Sequence, residues 1–216
     1  MATKKSTSKN DIISWYMEHV LEKSQQPASV FSFAKENDFP ESDFYKYFAS
    51  FEALEKGVFK AFFDNTISVL DTSEEYQNFD ARNKLLMFYF TFFENLTANR
   101  SYVVHVLGSK KDLRSLKALS ELRKSYVHYI NHLPIETVEL KQEQLEKIQK
   151  KSMQESAWIQ LLITLKFWLD DISPSFEKTD IFIEKSINTG FDIIDVAPLK
   201  SIIDLGKFLF KEKVQL

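Results

Sequence analysis

The residues in this chain best suited to chemistry are its histidines, and two of them share one helical face. His128 and His132 are four residues apart, a spacing that can place two imidazoles on the same metal ion. The residue after His128 is Tyr129 rather than a glutamate, no third ligand follows, and the chain contains no cysteine. Its four glycines are too far apart for a phosphate-binding loop, and no nucleophile elbow occurs. We therefore expect no enzyme, no metal and no cofactor.

A second group of polar residues has a pattern suited to binding DNA. Residues 29–54, SVFSFAKENDFPESDFYKYFASFEAL, read as a helix, a tight turn at residues 38–40, a second short helix and the start of a third. This order predicts a helix-turn-helix, whose second helix enters the major groove. The expected N-cap is Ser29, and the expected inward residues are Val30, Phe33, Ala34, Phe44, Tyr45, Phe48, Leu54 and Val58.

The candidate DNA contacts lie on that second helix and in the N-terminal arm. Carboxylates near the helix start can accept hydrogen bonds from cytosine, whereas lysine and tyrosine position the phosphates. The acidic residues could instead stabilise the helix through its dipole, Tyr45 could belong to the core, and residues 1–9 could be a solvated terminus. The candidates are Lys4, Lys5, Ser42, Asp43, Tyr45, Lys46 and Tyr47.

The run FYKYFASFEAL resembles the TetR family of bacterial transcriptional repressors. Tyr45, Phe48 and Leu54 fall on the family's aromatic and leucine positions, and Phe33-Ala34 falls on an Ile-Ala pair. The motif resemblance covers about residues 10–63. Two positions depart from it, because Phe51 replaces the family's lysine and Asp38 replaces its turn glycine. The first change removes a phosphate contact, and the second requires a left-handed aspartate.

The charge distribution argues against a strong DNA-binding module. The whole chain has a net charge of −3, and residues 1–65 contain 8 lysines against 10 aspartates and glutamates, a net charge of −2. Phosphate neutralisation supplies most of the affinity of DNA-binding modules, which are usually basic. The composition and the motif therefore point in opposite directions.

The remaining pattern predicts an all-α protein with a helical bundle after the helix-turn-helix domain. Asn10 is the expected cap of a first helix with Ile12, Ile13, Tyr16, Val20 and Leu21 inward. Residues 71–80 are expected to form a linking loop. Further helices are expected near 80–96 (buried all round), 101–107, 112–133, 153–172 and 179–196, and the charged segment 136–151 is expected to be a solvent-facing helix or a partly ordered connection. The predicted parts are a flexible arm (1–9), a DNA-binding domain (10–63), a ligand-binding and dimerisation domain (64–197) and a C-terminal amphipathic helix (198–216).

Aromatic residues are abundant enough to line a cavity for a small hydrophobic effector. Pockets between bundle helices are mostly apolar with a few polar groups, although each of these residues could equally be simple core. In the TetR family, an effector bound in the second domain weakens operator binding. The expected lining is Phe88, Phe92, Tyr102, His105, Tyr126, Tyr129, Trp158 and Phe167.

The same resemblance implies a homodimer. In the family the last two core helices pair with their symmetry mates in a four-helix interface, and two-fold symmetry suits two half-sites on DNA. The alternative is that both helices close a monomeric core. The expected interface residues are Leu161, Leu165, Trp168, Ile187, Phe191 and Ile194.

Two functions are therefore open. The first is a cytoplasmic TetR-like repressor that binds a double-stranded DNA operator and is released by an effector. The second is a lipid-binding accessory protein, since a TetR-like fold also serves a lipid-binding protein with a membrane-associating C-terminal helix. Residues 198–213 carry a basic amphipathic pattern that fits an anionic membrane surface, although a helix of this kind could instead dock on its own core or on a partner subunit. The longest apolar run, residues 85–93, is too short to span a bilayer.

Overall fold

The computed structural model describes residues 7–108, 113–135 and 143–195, and within these ranges every regular element is a helix. The all-α prediction is confirmed. The helices are α1 (Lys9–Lys23), α2 (Val30–Glu36), α3 (Glu41–Tyr47), α4 (Phe51–Asp71), α5 (Glu74–Asn78), α6 (Ala81–Ala98), α7 (Arg100–Leu107), α8 (Leu113–Ala118), α9 (Ser120–His132), α10 (Glu143–Asp170) and α11 (Glu177–Asp195), with a 3₁₀ turn at Pro174–Phe176.

The chain divides into two compact units. The first takes the chain up to Val69 together with Thr91–His128, and the second takes Leu70–Phe90 together with the chain from Tyr129 onward. The division falls inside α4, α6 and α9. It does not coincide with the predicted boundary at residues 63 and 64, because α7 packs on α1 and so joins the N-terminal helices.

The core of the first unit is built from aromatic rings. The ring of Phe51 stacks on Tyr16 at 5.6 Å and meets Phe33 and Phe44 edge-on at 5.6 and 5.3 Å. Tyr102 from α7 joins this cluster, with its ring 6.5 Å from Tyr16. Edge-to-face and stacked pairs of this kind add stability beyond the area they bury. The cluster therefore joins the three N-terminal helices to α4 and α7.

The core of the second unit lies between α10 and α11. Trp168 is completely buried, and Phe167 stacks on Phe182 with centroids 4.6 Å apart. At the turn between the two helices, the Asp171 carboxylate accepts hydrogen bonds from the backbone and hydroxyl groups of Ser173 and Thr179 at 2.7–3.0 Å. This carboxylate therefore caps the start of α11.

Several sequence predictions need correction at helix ends and faces. The N-cap of α1 is Ser8, not Asn10, because Ser8 and Asp11 form a reciprocal capping box. Leu21 is 43% exposed and Leu116 is 56% exposed, so neither faces inward. Met87 is 38% exposed, so α6 is not buried on all sides.

Helix lengths also differ from the prediction. In place of the single helix predicted at 112–133, the structure has α8 (Leu113–Ala118) and α9 (Ser120–His132), and Leu119 between them is buried. In contrast, the charged stretch from Glu143 continues directly into the apolar helix as α10, where pairs such as Glu143 with Lys147 at 2.7 Å support the exposed end. The expected loop at 71–80 contains the short helix α5, which buries Tyr76.

Candidate nucleic-acid interface

The turn between α2 and α3 is closed by backbone hydrogen bonds rather than by a glycine. Ser29 caps α2, as predicted, and accepts a hydrogen bond from the Ser32 backbone at 3.1 Å. At the other end the Phe39 N–H donates to the Ala34 carbonyl at 3.0 Å, and Asp38 takes a left-handed φ of 51°. This is a Schellman arrangement with aspartate at the position that usually holds glycine. The predicted left-handed Asp38 is therefore present.

Helix α3 is held from one side only. Phe44 and Phe48, one turn apart, are buried, and Phe44 packs on Phe33 and Phe51. Gly57 on α4 allows this close packing, because a Cβ there would lie 2.7 Å from Cε1 of Phe48. Since α3 turns by about 100° per residue, Ser42 and Lys46 point away from the core and the tyrosines flank them.

Both tyrosines beside this outer face are exposed. Tyr45 is 53% exposed and Tyr47 is 42% exposed, so Tyr45 does not belong to the inward face on which the sequence pattern placed it. The inward stripe of this seven-residue helix consists of Phe44 and Phe48, at positions i and i+4, and these two residues suffice to attach it. Tyr45, at i+1, lies beside the stripe. Ser42 and Lys46 are exposed as well. Of the seven predicted DNA contacts, Lys4 and Lys5 lie outside the described residues.

The polar groups of α3 bind one another. Nζ of Lys46 donates to the Asp43 carboxylate at 2.6 Å, and the Tyr45 hydroxyl donates to Glu41 at 3.3 Å. The hydrogen bond and charge of Asp43 raise the pKa of Lys46. The side chain of Asp43 is only 14% exposed. The helix therefore presents little unpaired positive charge, and Asp43 offers little surface to a partner.

The start of α1 is attached to the far end of α3. The Tyr47 hydroxyl donates to the Thr7 carbonyl oxygen at 3.3 Å, and Nζ of Lys9 lies 5.8 Å from the centre of the Phe48 ring. Sequence reasoning missed this connection, since no local pattern links residues 40 positions apart. It also missed Phe31 on α2, which is 64% exposed even though it lies within an apolar run.

The predicted pocket residues are divided between the two units. Phe92, Tyr102, His105 and Tyr126 belong to the first, and Phe88, Tyr129, Trp158 and Phe167 belong to the second. Most are buried, but His105 and Phe167 lie on the surface instead of in the interior where the prediction put them. In the second unit the ring of Phe88 stacks on Tyr129 at 4.8 Å.

Two surface depressions lie in the first unit, and none of the predicted pocket residues lines either of them. One, of about 480 Å³, lies between α1 and Asn99, and the other, of about 730 Å³, is lined by the starts of α2 and α4 and by Lys117. Tyr102 is completely buried, and its hydroxyl has no hydrogen-bond partner among the described residues. Burial, and then the proximity of Tyr16 and Glu55, raises the pKa of this phenol.

The predicted dimer residues also need correction. Leu161, Leu165, Trp168 and Ile187 are at most 5% exposed within a single protomer, so they cannot reach a second copy. Phe191 is half-buried beneath the guanidinium of Arg82, 5.4 Å from its ring centre, and the side chain of Ile194 lies outside the described part. The exposed large apolar residues of the same helices are Ile148, Ile159, Ile163, Phe167, Ile181 and Ile193. The prediction took the most apolar stripe of α10 and α11, but that stripe packs in the core of the protomer itself.

The described residues show neither a metal group nor a membrane span. No three histidine, cysteine, aspartate or glutamate side chains come together there in a way that could hold an ion. No helix in these ranges is both long and apolar enough to cross a bilayer.

Residues 84–209 match the family described as tetracyclin repressor-like, C-terminal domain. The match covers more than half of the chain and begins within α6. No curated protein sequence matches the chain.

Proposed function

The chain belongs to the family of tetracycline-repressor-like proteins, and from that premise we propose that it is a dimeric, DNA-binding transcriptional regulator. The observation that supports the proposal is the way in which α3 is attached. Its inner side is attached to the aromatic core through Phe44 and Phe48, while Ser42, Tyr45, Lys46 and Tyr47 are left outward. A short helix held behind a tight turn, with its outer side exposed to solvent, is the arrangement by which helix-turn-helix proteins enter the major groove.

Dimerisation would use the exposed side of α10 and α11. Ile159, Ile163 and Phe167 follow one another at i, i+4 and i+8 along α10, and Phe167 stacks on Phe182 of α11. These residues form a continuous apolar stripe beside the seam at which Gln160 donates to Ser186 at 2.6 Å. Apolar surface of this kind favours a subunit contact, and a two-fold contact suits a protein that binds two half-sites.

We further propose that a small hydrophobic effector releases the DNA, as in regulators of this family. The effector would act among the aromatic residues of the second unit, such as the buried Phe88 and Trp158 and the half-buried Tyr129, where a bound ligand would shift the balance between two arrangements. Apolar compounds should then raise the melting temperature and weaken DNA binding together. A compound that does only one of these would contradict this part of the proposal.

The test of DNA binding is a fluorescence anisotropy titration with the promoter region upstream of the protein's own gene. We expect saturable, sequence-selective binding that weakens as salt rises from about 50 to 200 mM. Lys46→Ala should weaken it. Lys124→Ala is the matched control, because Lys124 is also bound to an acidic residue three positions away, Glu121, at 2.7 Å on α9. Absence of selective binding at about 50 mM salt would contradict the proposal.

The second candidate function is a lipid-binding accessory protein on the same fold. The pairing of Lys46 with Asp43 favours it, because this pairing leaves α3 with little attraction for phosphate. The predicted amphipathic helix at 198–216 lies outside the described residues. Deleting residues 198–216 separates the two functions: loss of liposome association supports the lipid-binding protein, and unchanged operator binding supports the regulator.

A further inference from the structure

Three polar side chains of α3 are hydrogen-bonded within the protein. The Lys46 ammonium is bound to Asp43, the Tyr45 hydroxyl to Glu41 and the Tyr47 hydroxyl to Thr7. A partner would have to displace Glu41 or Thr7 before either tyrosine hydroxyl could donate to it, whereas the exposed Ser42 hydroxyl and the other N–H groups of Lys46 need no such displacement. What the two tyrosines offer without any rearrangement is therefore the apolar surface of their rings.

The two tyrosine rings extend in different directions. Tyr45 is tied to Glu41, one turn toward the N-terminus of α3, whereas Tyr47 is tied to Thr7 at the start of α1. The Tyr45 ring also rests edge-on against buried Phe44, with centroids 5.5 Å apart. In docked helix-turn-helix proteins the N-terminal residues of the recognition helix meet the base edges. Of the two, Tyr45 is therefore the ring directed toward the bases.

The apolar feature of the major groove is the C5-methyl group of thymine. Side chains read it by van der Waals and hydrophobic contact rather than by hydrogen bonds. A ring that is half exposed and fixed at both its edge and its hydroxyl loses little conformational freedom on contact. We propose that Tyr45 is a specificity-determining residue whose ring reads thymine methyl groups in the operator half-site, an inference that rests on the proposed DNA-binding function.

The role proposed for Tyr45 differs from the usual role of a tyrosine at a DNA surface, which is to position a phosphate through its hydroxyl. The two roles predict opposite results for the loss of the hydroxyl. A phosphate contact would be lost in Tyr45→Phe, whereas a methyl contact would remain. Tyr45 is exposed, so neither phenylalanine nor alanine at this position disturbs the core.

The experiment begins with duplexes selected by the full-length protein from a random library at low salt. The tightest duplex is then resynthesised with deoxyuridine in place of thymidine, one position at a time, which removes only the methyl group. Binding is measured for the wild type, Tyr45→Phe, Tyr45→Ala and the control Tyr47→Ala, with circular dichroism to confirm folding.

We expect uracil at one or two positions of each half-site to weaken wild-type binding about fourfold per methyl group. This is the factor in the binding constant that corresponds to the free energy of burying one carbon of this size. Tyr45→Phe and Tyr47→Ala should keep this sensitivity, and Tyr45→Ala should lose it. If a duplex binds but uracil has no effect, the inference is overturned while the DNA-binding function stands. If Tyr45→Ala keeps the uracil sensitivity, another residue reads the methyl group and the assignment to Tyr45 fails. If the library yields no selective duplex, the proposed function fails and the inference fails with it.

Discussion

Nζ of Lys46 lies 2.6 Å from Oδ1 of Asp43, one turn earlier on the same exposed helix. The lysine side chain is 63% exposed and the aspartate side chain only 14%. A pair whose cation is this exposed adds little to stability, yet it neutralises the lysine of α3. Under the proposed function, the pair should therefore affect DNA binding more than folding.

Release of Lys46 should strengthen DNA binding. Asp43→Asn removes the carboxylate and keeps the side-chain shape, so we expect binding to tighten severalfold at about 50 mM salt, with a salt dependence steeper by about one unit. The measurement is a titration at several salt concentrations. Glu121→Gln is the matched control, since it frees Lys124 on α9 in the same way and should leave DNA binding unchanged. Equal effects of both variants would mean that only total charge matters.

Relief of the left-handed turn should stabilise the protein. Asp38 has a φ of 51°, a region that glycine enters without the steric cost of a Cβ. Asp38→Gly should therefore raise the free energy of unfolding by about 0.5–1 kcal/mol, measured by urea denaturation. Asn37→Gly is the control and should destabilise, because Asn37 has a φ of −103° and its side chain donates to the Phe33 carbonyl at 2.8 Å.

Truncation of Phe44 should remove the attachment of α3. The ring is fully buried between Phe33 and Phe51, so Phe44→Ala should lower the free energy of unfolding by about 3–5 kcal/mol. Phe31→Ala in the neighbouring helix removes a ring that is 64% exposed and should change stability by no more than about 0.5 kcal/mol. A small loss for Phe44→Ala would mean that α3 is not held by this core.

Asp171 makes the start of α11 sensitive to acid. Burial alone would raise the pKa of its carboxyl, but the hydrogen bonds from Ser173 and Thr179 outweigh that effect and lower the pKa from 3.8 to about 2. A depressed pKa in the folded state stabilises the protein above the unfolded value of 3.8, and this contribution is lost as the pH falls toward 2.

The stability difference between the wild type and Asp171→Asn should therefore be constant from about pH 5 to 7 and shrink below about pH 4. Chemical denaturation at a series of pH values measures it. Asp170→Asn is the control, because Asp170 is exposed and pairs with Lys166 on the surface. A difference that persists unchanged to pH 2 would show that the charge of Asp171 is not what matters.

A charge on the exposed stripe of α10 should separate the proposed dimer. Ile163 is 50% exposed in the protomer, so Ile163→Asp should leave the fold intact and convert the dimer to a monomer. Sedimentation velocity measures the change. Val104→Asp introduces the same charge at a residue that is 40% exposed on α7 and should leave the dimer unaffected. A dimer that survives Ile163→Asp would place the subunit contact elsewhere.

The sequence alone determined the local features of the candidate site. The capping of α2 by Ser29 and the inward Phe44 and Phe48 followed from residues at most five positions apart. The left-handed Asp38 followed from the family resemblance, in which it replaces a turn glycine. Caps, turns and helical stripes depend on hydrogen bonds and spacing within one or two turns, so a linear pattern is sufficient to predict them.

Only the tertiary structure decided which side chains remain available to a partner. The pattern alone could not show that Tyr45 is exposed, that Tyr47 binds Thr7, or that Leu161 is buried while Ile163, two residues later, is not. An apolar stripe on a helix is often wider than the surface its neighbours cover, and the packing of distant segments chooses which part is buried. For this reason the apolar character of α10 and α11 could be predicted from the sequence, whereas the residues that remain exposed on them could not.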